Sequence, residues 1–209
     1  MNNKWYVLEA CRGFSGKGCP NCVAPHKDLP DRYDRVIEEL SRQKLDENRN
    51  EQLVRPHKKM KISLSGCPNG CSRPQIADLG VVGVLRPDIG AGCSGCGICA
   101  AVCREGAVQV IGKTAVIDRG KCLDCGECCL ACPEGSLVEI MNGYRLLVGG
   151  KLGRHPRLAR DLGMICTRRQ AEDVLQKILE LHKMSVDQGI RLSSLIENFS
   201  IQEFSWHDV

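Results

Sequence analysis

Residues 93–103, CSGCGICAAVC, and residues 122–132, CLDCGECCLAC, are two copies of one cysteine pattern. Each copy reads C-x2-C-x2-C-x3-C, and similar sequences follow, REGAVQVI in the first copy and PEGSLVEI in the second. Three cysteines on a tight loop and a fourth on the following helical turn are typical of paired 4Fe-4S clusters, in which the fourth cysteine binds the other cluster. Structural zinc is the weaker alternative, because its sites usually use two separated C-x2-C pairs.

The pattern predicts two ligand sets, each of which takes its fourth cysteine from the other copy. The two sets are Cys93, Cys96, Cys99 and Cys132, and Cys122, Cys125, Cys128 and Cys103. Gly97 and Gly126 let main-chain amides approach the clusters, and Cys129, which does not fit the spacing, is predicted to be a packing thiol. This segment resembles the bacterial two-cluster ferredoxins, although Arg104 stands where they often have a proline. The resemblance implies a module that transfers electrons.

The composition limits the class of protein. The chain has 209 residues, 15 cysteines and a net charge of +4. An odd number of cysteines and no apolar leader in MNNKWYV favour metal-bound thiols over disulfides, and a cytoplasmic protein of an anaerobic cell. No run approaches the roughly 18 apolar residues of a membrane span, and the few aromatic residues are not interleaved with a basic stripe. We therefore expect no membrane and no nucleic-acid partner.

The remaining sequence predicts an α+β fold. Strands are expected at WYVLEA (5–10), MKISLS (60–65), LGVVGVL (79–85) and YRLLVGG (144–150). Apolar residues at helical spacing predict three helices, the first with Pro30 in its first turn. Their apolar positions are Tyr33, Val36, Ile37 and Leu40; Ala171, Val174, Leu175, Ile178 and Leu179; and Leu192, Leu195, Ile196 and Phe199.

A second group of cysteines lies outside the repeats. Its members are Cys11, Cys19, Cys22, Cys67 and Cys71. Between Cys67 and Cys71 the residues Pro-Asn-Gly favour a turn that directs both sulfurs the same way. Four of the five cysteines are enough for a third cluster.

The stretch SGCPNGCSRPQIADLGVVG (65–83) resembles the second cysteine motif of the sulfite and nitrite reductases that couple sirohaem to a 4Fe-4S cluster. By that resemblance Cys71 bridges to the haem iron, and Cys11 and Cys19 match the first cysteine pair of the family. Their spacing here is C-x7-C, whereas the family commonly has C-x5-C, so Cys22 remains an alternative to Cys19. The stretch YRLLVGGKLGRHPRLARDLG (144–163) resembles the strand and basic turn in the last part of these reductases.

The resemblance covers nearly the whole chain as a short protein like the dissimilatory sulfite reductase subunits. It implies a reductase-like half-domain of residues 1–89 and 139–209, with a two-cluster ferredoxin domain inserted at 90–138. Full-length members contain two related halves that enclose sirohaem, and this sequence resembles the C-terminal half. A second copy or another subunit would supply the other half, or the chain holds no haem.

Basic residues around the second cysteine motif are candidates for binding the haem carboxylates and an oxyanion. The candidate catalytic residues are Arg73, Lys59 and Lys61, and the candidate cofactor-binding residues are Cys71, Asn69 and Arg154. Further basic residues nearby are Arg55, His57, Lys58, His155 and Arg157. The alternative is that these residues are solvated surface charges.

The sequence leaves three functions open. The preferred one is reduction of sulfite or nitrite by six electrons, which pass from two ferredoxin-type clusters to a third cluster coupled to sirohaem. The second is a haem-free, three-cluster electron-transfer subunit of a larger redox complex. The third and weakest is a redox sensor. The first two require an electron donor or redox partner protein, whereas the sensor predicts labile clusters and a bound partner or promoter. We expect a homo-oligomer or a subunit of a complex.

Overall fold

A computed structural model describes residues 4–44, 59–200 and 204. A mixed five-stranded sheet in the order β1-β2-β3-β6-β7 organises the chain. Strands β1, β2 and β3 are parallel to one another, and β3, β6 and β7 pair antiparallel. The strands are β1 Tyr6–Ala10, β2 Met60–Ser65, β3 Leu79–Ile89, β6 Leu137–Val148 and β7 Arg160–Cys166.

Among the described residues, five α-helices accompany the sheet: α1 Leu29–Lys44, α2 Ile98–Val102, α3 Glu127–Ala131, α4 Arg168–Asp187 and α5 Leu192–Ile196. The apolar stripes of α1, α4 and α5 form one core with alternate residues of the strands. Tyr33 and Leu175 are fully buried in it together with Ile62 and Leu146. A Thr167–Gln170 capping box begins α4, because each side chain there satisfies a main-chain N–H of the first turn. Among the described residues, no helix is long and apolar enough to cross a membrane.

The predicted α+β class is confirmed, and each predicted strand and helix has a counterpart, although several bounds differ and the described residues include strands that were not predicted. Strand β6 begins at Leu137, earlier than predicted. Strand β7 was not predicted, because Asp161 and Gly163 interrupt its apolar pattern, and it forms by pairing with β6 at the edge of the sheet.

The segment between β3 and β6 has its own small structure. Strands β4 Val108–Ile111 and β5 Thr114–Ile117 form a hairpin that packs with α2 and α3. Its core contains Cys99 and Cys128 with Val108, Ala115 and Leu137. The cysteine repeats therefore lie in a compact unit at one end of the long β3–β6 pair. That this unit is an inserted ferredoxin domain at 90–138 stays a prediction, as does the reductase-like half-domain at 1–89 and 139–209.

Candidate functional site: three groups of cysteines

The first predicted ligand set lies around one cavity. Its four thiols, those of Cys93, Cys96, Cys99 and Cys132, line that cavity together. The main-chain N–H of Ala115 points at Cys93 Sγ from 3.4 Å. Main-chain N–H groups, foremost that of Leu137, lower the pKa of Cys132. Four thiols with N–H donors directed at sulfur fit the ligand set of a 4Fe-4S cluster.

The second predicted set lies around another cavity. Cys103, Cys122, Cys125 and Cys128 line it, so that the fourth thiol of each set comes from the other repeat. The N–H groups of Ala107 and Asp124 point at Cys103 Sγ and Cys122 Sγ from 3.3 and 3.4 Å. Burial raises the pKa values of Cys122 and Cys125.

Gly97 and Gly126 have left-handed backbones, with φ of 81° and 72°, immediately before α2 and α3. Glycine adopts the left-handed backbone without the steric penalty that other residues have. The chain can therefore turn sharply here and present the cysteines on either side to one cavity. At Gly126 there is a second reason, since a Cβ atom would lie 3.0 Å from a methyl carbon of Leu85.

The third group lies where parallel strands end. Strand β1 ends at Ala10 and leads into Cys11, and β2 ends at Ser65 and leads into Cys67. Because the two strands are adjacent and parallel, their following loops emerge at the same edge of the sheet. Cys11 N donates to Leu64 O over 2.9 Å, and Gly66 N points at Cys11 Sγ from 3.2 Å. The register of the sheet thus brings together cysteines more than fifty residues apart in sequence.

A buried serine network holds the Cys67–Cys71 loop on the sheet. Ser72 donates its hydroxyl to Leu64 O over 2.8 Å and lies 2.7 Å from Ser65 Oγ. Ser63 Oγ donates to Ser72 O over 2.5 Å. All three serines are at least nine-tenths buried. The loop is therefore fixed along the sheet face that carries the odd-numbered residues of β2.

Cys19 and Cys22 occupy different surroundings. Burial raises the pKa of Cys67, and electrostatic repulsion by Cys11, Cys19 and Cys71 adds to that rise. The N–H of Asn21 and then the guanidinium of Arg12 lower the pKa of Cys19.

The thiol of Cys22 accepts a hydrogen bond from Lys27 Nζ over 2.7 Å, and it lies beside Gly66, where a Cβ atom would clash with Cys22 Sγ. A Cβ atom at Gly13 would lie 2.9 Å from Cys22 Sγ and 3.3 Å from Cys11 Sγ, so these two sulfurs are also close. The choice between Cys19 and Cys22 as ligand remains a prediction.

The second cavity connects the ferredoxin-type cysteines with the third group. Besides its four cysteines it is lined by Cys67, Pro68 and Asn69 from one loop and by Asn21 and Val23 from the other. Asn69, a predicted cofactor-binding residue, is exposed towards this cavity, and its N–H lowers the pKa of Cys67. The first cavity has none of these residues in its lining. The Cys122 set therefore lies next to the Cys67 loop.

Of the basic candidates, Arg73 is nearest in sequence to Cys71 and has unusual geometry. Its backbone is left-handed, with φ of 61°, a conformation that non-glycine residues seldom adopt outside sites that need it. Its side chain is 70% exposed and lies 3.8 Å from a carboxylate oxygen of Glu9. Cys71 is exposed as well. The two side chains therefore face an open surface.

The other basic candidates lie farther along this surface. Lys61 is exposed on the sheet face of Ser63 and Ser65, and its main-chain N donates to Asp78, while Lys59 precedes β2. Arg154 and His155 are exposed at the tip of a turn closed by the Lys151–Arg157 bridge. That turn is tied to the Cys71 loop because Ala159 N donates to Gln75 O. Arg55, His57 and Lys58 lie outside the described residues.

Sequence reasoning missed a buried carboxylate between two of the cysteines. Asp124 is 3% exposed, and Arg86 and Arg145 of the main sheet pair with it. Its hydrogen bonds with Arg86 raise the pKa of that guanidinium. The partners are far apart in sequence, so no local pattern indicates the pairing.

Two cysteines lie outside all three groups. Cys129 packs in the small core beside Cys128, in agreement with its predicted packing role. Cys166 is buried at the end of β7 and donates to Tyr144 O over 3.0 Å.

Within residues 4–44, 59–200 and 204, no three His, Cys, Asp or Glu side chains lie close enough together to hold a single metal ion. A 4Fe-4S cluster takes a wider ligand set, because each of its thiolates binds a different iron atom.

The mixed sheet and its cysteine loops define an iron-sulfur protein. Residues 15–206 match the family model of the nitrite and sulphite reductase 4Fe-4S domain, and the chain belongs to this family. The resemblance noted in the sequence is thereby confirmed. A 4Fe-4S cluster is part of the family's definition.

Two curated relatives carry sulfite reductase names. The chain is 50% identical over 97 residues to the "Coenzyme F420-dependent sulfite reductase" of Methanocaldococcus jannaschii, which is 46% of this chain and 16% of that protein. It is 43% identical over 62 residues to one of the anaerobic sulfite reductase subunits of Salmonella typhimurium, covering 29% of this chain and 18% of the other. The match thus spans less than a fifth of either relative.

Two solved structures share the fold. Dissimilatory sulfite reductase I (DsrI) matches with a TM-score of 0.59 at 19% identity, over 94% of this chain and 50% of the other. The NirA protein of Mycobacterium tuberculosis matches with a TM-score of 0.52 at 20% identity, over 95% of this chain and 26% of the other. At these identities the comparison establishes a fold similar to that of sulfite reductases.

Proposed function

We propose that this chain is the iron-sulfur half of a sulfite or nitrite reductase, in which three groups of cysteines hold three 4Fe-4S clusters. The observation that carries the proposal is the second cavity. This cavity is lined by the Cys67 loop and also by Cys103, Cys122, Cys125 and Cys128. Electron transfer between bound clusters needs such closeness. When bound, the clusters supply one-electron transfer, and a sirohaem coupled to the third would supply the six-electron reduction of sulfite or nitrite.

The residues of this chain have distinct roles in the proposal. In this proposal the Cys93 set, whose cavity has no residue of the Cys67 loop in its lining, receives electrons from a donor protein. The Cys122 set connects it with Cys11, Cys19, Cys67 and Cys71. Main-chain N–H groups aimed at sulfur stabilise the added negative charge, which makes reduction easier.

In this proposal, the exposed surface around Cys71 forms one wall of a sirohaem site. Cys71 is exposed, so its sulfur is free to reach a second group, and Arg73 offers a cation two residues away. Arg154 and Lys61 extend the positive surface that haem carboxylates and an oxyanion need. Both Cys71 and Arg73 face an open surface, so a second copy or another polypeptide must close the site. The names of the relatives favour sulfite as the substrate.

A second function is favoured by the same open surface. Each of the two ferredoxin-type ligand sets is formed within this chain alone. A haem-free electron-transfer subunit that presents Cys71 and Arg73 to a partner needs no more than these sets and the third cluster.

The deciding experiment is an anaerobic ultraviolet-visible spectrum, with iron and acid-labile sulfide counted on the same sample. Three clusters of four irons give about twelve irons per chain. Twelve irons with sirohaem absorption support a reductase, and sulfite turnover is then the next assay. Twelve irons with broad cluster absorption alone support the electron-transfer subunit.

Matched variants assign the irons. Cys125→Ser is expected to lose about four irons, because a cluster loses one of its four thiolates. Cys129→Ser removes a neighbouring thiol outside the ligand spacing and is expected to lose none. A wild-type chain with no cluster iron after anaerobic reconstitution would contradict both functions.

A further inference from the structure

Asp124 lies in the middle of the second cysteine run, between Cys122 and Cys125, in an environment that charged residues rarely occupy. It is 3% exposed and its φ is 56°. A buried carboxylate is costly unless it is paired, and a left-handed backbone is strained for a residue other than glycine. The buried carboxylate and the left-handed backbone of Asp124 both destabilise the fold unless other interactions offset them.

Two arginines of the main sheet supply the pairing. Arg86 on β3 donates to the Asp124 carboxylate through Nε and Nη2, the shortest contact being 3.0 Å. Arg145 on β6 lies 3.6 Å from the same oxygen and 3.4 Å from Asp161. These guanidinium groups are only partly exposed, so solvent screens the pairs less than it screens surface pairs.

The main chain of Asp124 also joins the cysteine run to the sheet. Leu85 N donates to Asp124 O over 2.7 Å, and Leu85 and Cys125 form an isolated parallel bridge. The loop thus contacts β3 through both its side chain and its backbone. On its other side, Asp124 N points at Cys122 Sγ from 3.4 Å, and the carboxylate lies 3.7 Å from that sulfur.

The first repeat lacks this arrangement. Its equivalent position is Gly95, which has φ of 71° and no side chain. A Cβ atom there would lie 2.7 Å from Lys113 O, so the first run has no room for a carboxylate. The two runs share the ligand spacing and the backbone turn, but only the second places a fixed charge beside its cysteines.

We propose that Asp124, clamped by Arg86 and Arg145, is a positioning residue that fixes the Cys122 run on the sheet and sets the reduction potential of the cluster there separately from that at the Cys93 set. This inference rests on the proposed function only in requiring clusters at these two sets. Net charge and hydrogen bonds at sulfur are among the factors that set the potential of such clusters. The network places a fixed charge and the Asp124 N–H at the Cys122 set, whereas the equivalent turn at Gly95 carries no charged side chain.

Opposite substitutions within the network have opposite expected effects. Asp124→Asn removes a negative charge and keeps the shape, and asparagine tolerates the left-handed backbone. It therefore favours the added electron and shifts the midpoint potential of the Cys122 cluster to a less negative value. Arg86→Gln removes a positive charge from the same network and shifts that potential to a more negative value. Arg86→Lys keeps the positive charge, so the midpoint potential is expected to stay close to that of the wild-type protein.

The test is an anaerobic redox titration of the full chain followed by electron paramagnetic resonance, with iron counted for every variant. The step that Cys125→Ser alters identifies the Cys122 cluster. We expect Asp124→Asn and Arg86→Gln to move this step in opposite directions and to leave the steps of the other clusters in place. Asp88→Asn is the control, because it removes a half-exposed carboxylate from β3 that pairs with Arg119.

Shifts of the same sign in both variants, or no shift beyond that of the control, would overturn the inference. If the network were merely structural, the direction of the potential shift would not follow the charge that is removed. If Asp124→Asn loses iron, the comparison of Arg86→Gln with Arg86→Lys decides by itself. A wild-type chain without two reducible clusters refutes the proposed function instead, so the two failures are distinguishable.

Discussion

Removing the Ser72 hydroxyl tests whether the serine network holds the third cysteine group on the sheet. Ser72→Ala deletes the 2.8 Å bond to Leu64 O and the 2.7 Å bond with Ser65 Oγ. Leu64 O keeps Cys11 N as a donor, whereas the Ser65 hydroxyl is left without its nearest partner inside the protein.

The expected cost follows from that asymmetry. A lost hydrogen bond with one buried group left unsatisfied destabilises by about 1–3 kcal/mol. For a chain of this size each kcal/mol lowers Tm by roughly 2–4 °C. Removing both hydroxyls in Ser65→Ala/Ser72→Ala leaves neither serine with an unpaired hydroxyl, so the double variant is expected to cost less than the two single variants together.

Anaerobic thermal unfolding followed by circular dichroism, with iron counted beforehand, measures these costs. Ser15→Ala is the matched control, because Ser15 Oγ makes a 2.7 Å bond to Arg12 O on the exposed surface. It is expected to change stability by no more than about 0.5 kcal/mol. If Ser72→Ala costs no more than Ser15→Ala, or if the costs of the two buried serines simply add, the reasoning about the network is refuted.

Three further predictions concern the cysteine loops and one carboxylate. Cys19→Ser is expected to lose about four irons and Cys22→Ser none, because Cys19 is the residue that matches the first cysteine pair of the family; an iron count with the reverse result would make Cys22 the ligand. Gly126→Ala and Gly97→Ala both introduce left-handed backbone strain of about 1–2 kcal/mol. Only Gly126→Ala also crowds Leu85, so the Tm of this variant should fall further. Equal decreases in Tm would contradict the packing argument. Burial raises the pKa of Asp78 from 3.8 to about 6, so the folded state binds the proton of this carboxyl more tightly than the unfolded state does. The free energy of unfolding should therefore fall as the pH rises through this interval. Asp78→Asn should remove that contribution in urea titrations at several pH values, while Asp88→Asn should not, and an unchanged pH profile in Asp78→Asn would show that another group is responsible.

The sequence predicted those features that have a local signal. The helix containing Tyr33 and Val36 and the strand Met60–Ser65 were found because apolar periodicity reflects burial on one side. The two ferredoxin-type ligand sets were predicted from spacing alone, since the repeat carries all eight cysteines in a short segment. Their cavities agree with that grouping.

Features that depend on pairing between distant segments could not be predicted. The serines of MKISLS occupy the polar positions of an alternating strand, and nothing in that strand indicates that the Ser72 loop covers them. The Arg86–Asp124 pair joins residues that only the fold brings together. For Lys59 and Lys61, closeness to Cys67 in sequence says little about distance, because an extended strand advances about 3.3 Å per residue away from the loop.

The small unit that carries the repeats takes the place of a hairpin turn. Strands β3 and β6 are antiparallel neighbours, and Ile89 pairs directly with Leu137, so residues 90–136 leave and re-enter the sheet at one point. Segments attached in this way can be exchanged or deleted with little effect on the backbone that hosts them. A short turn joining Ile89 to Leu137 would yield a chain that keeps only the third cysteine group, and another electron-carrying unit grafted there would inherit its position beside Cys67. Because this segment joins the sheet between Ile89 and Leu137, replacing it is expected to leave the surface at Cys71 in place.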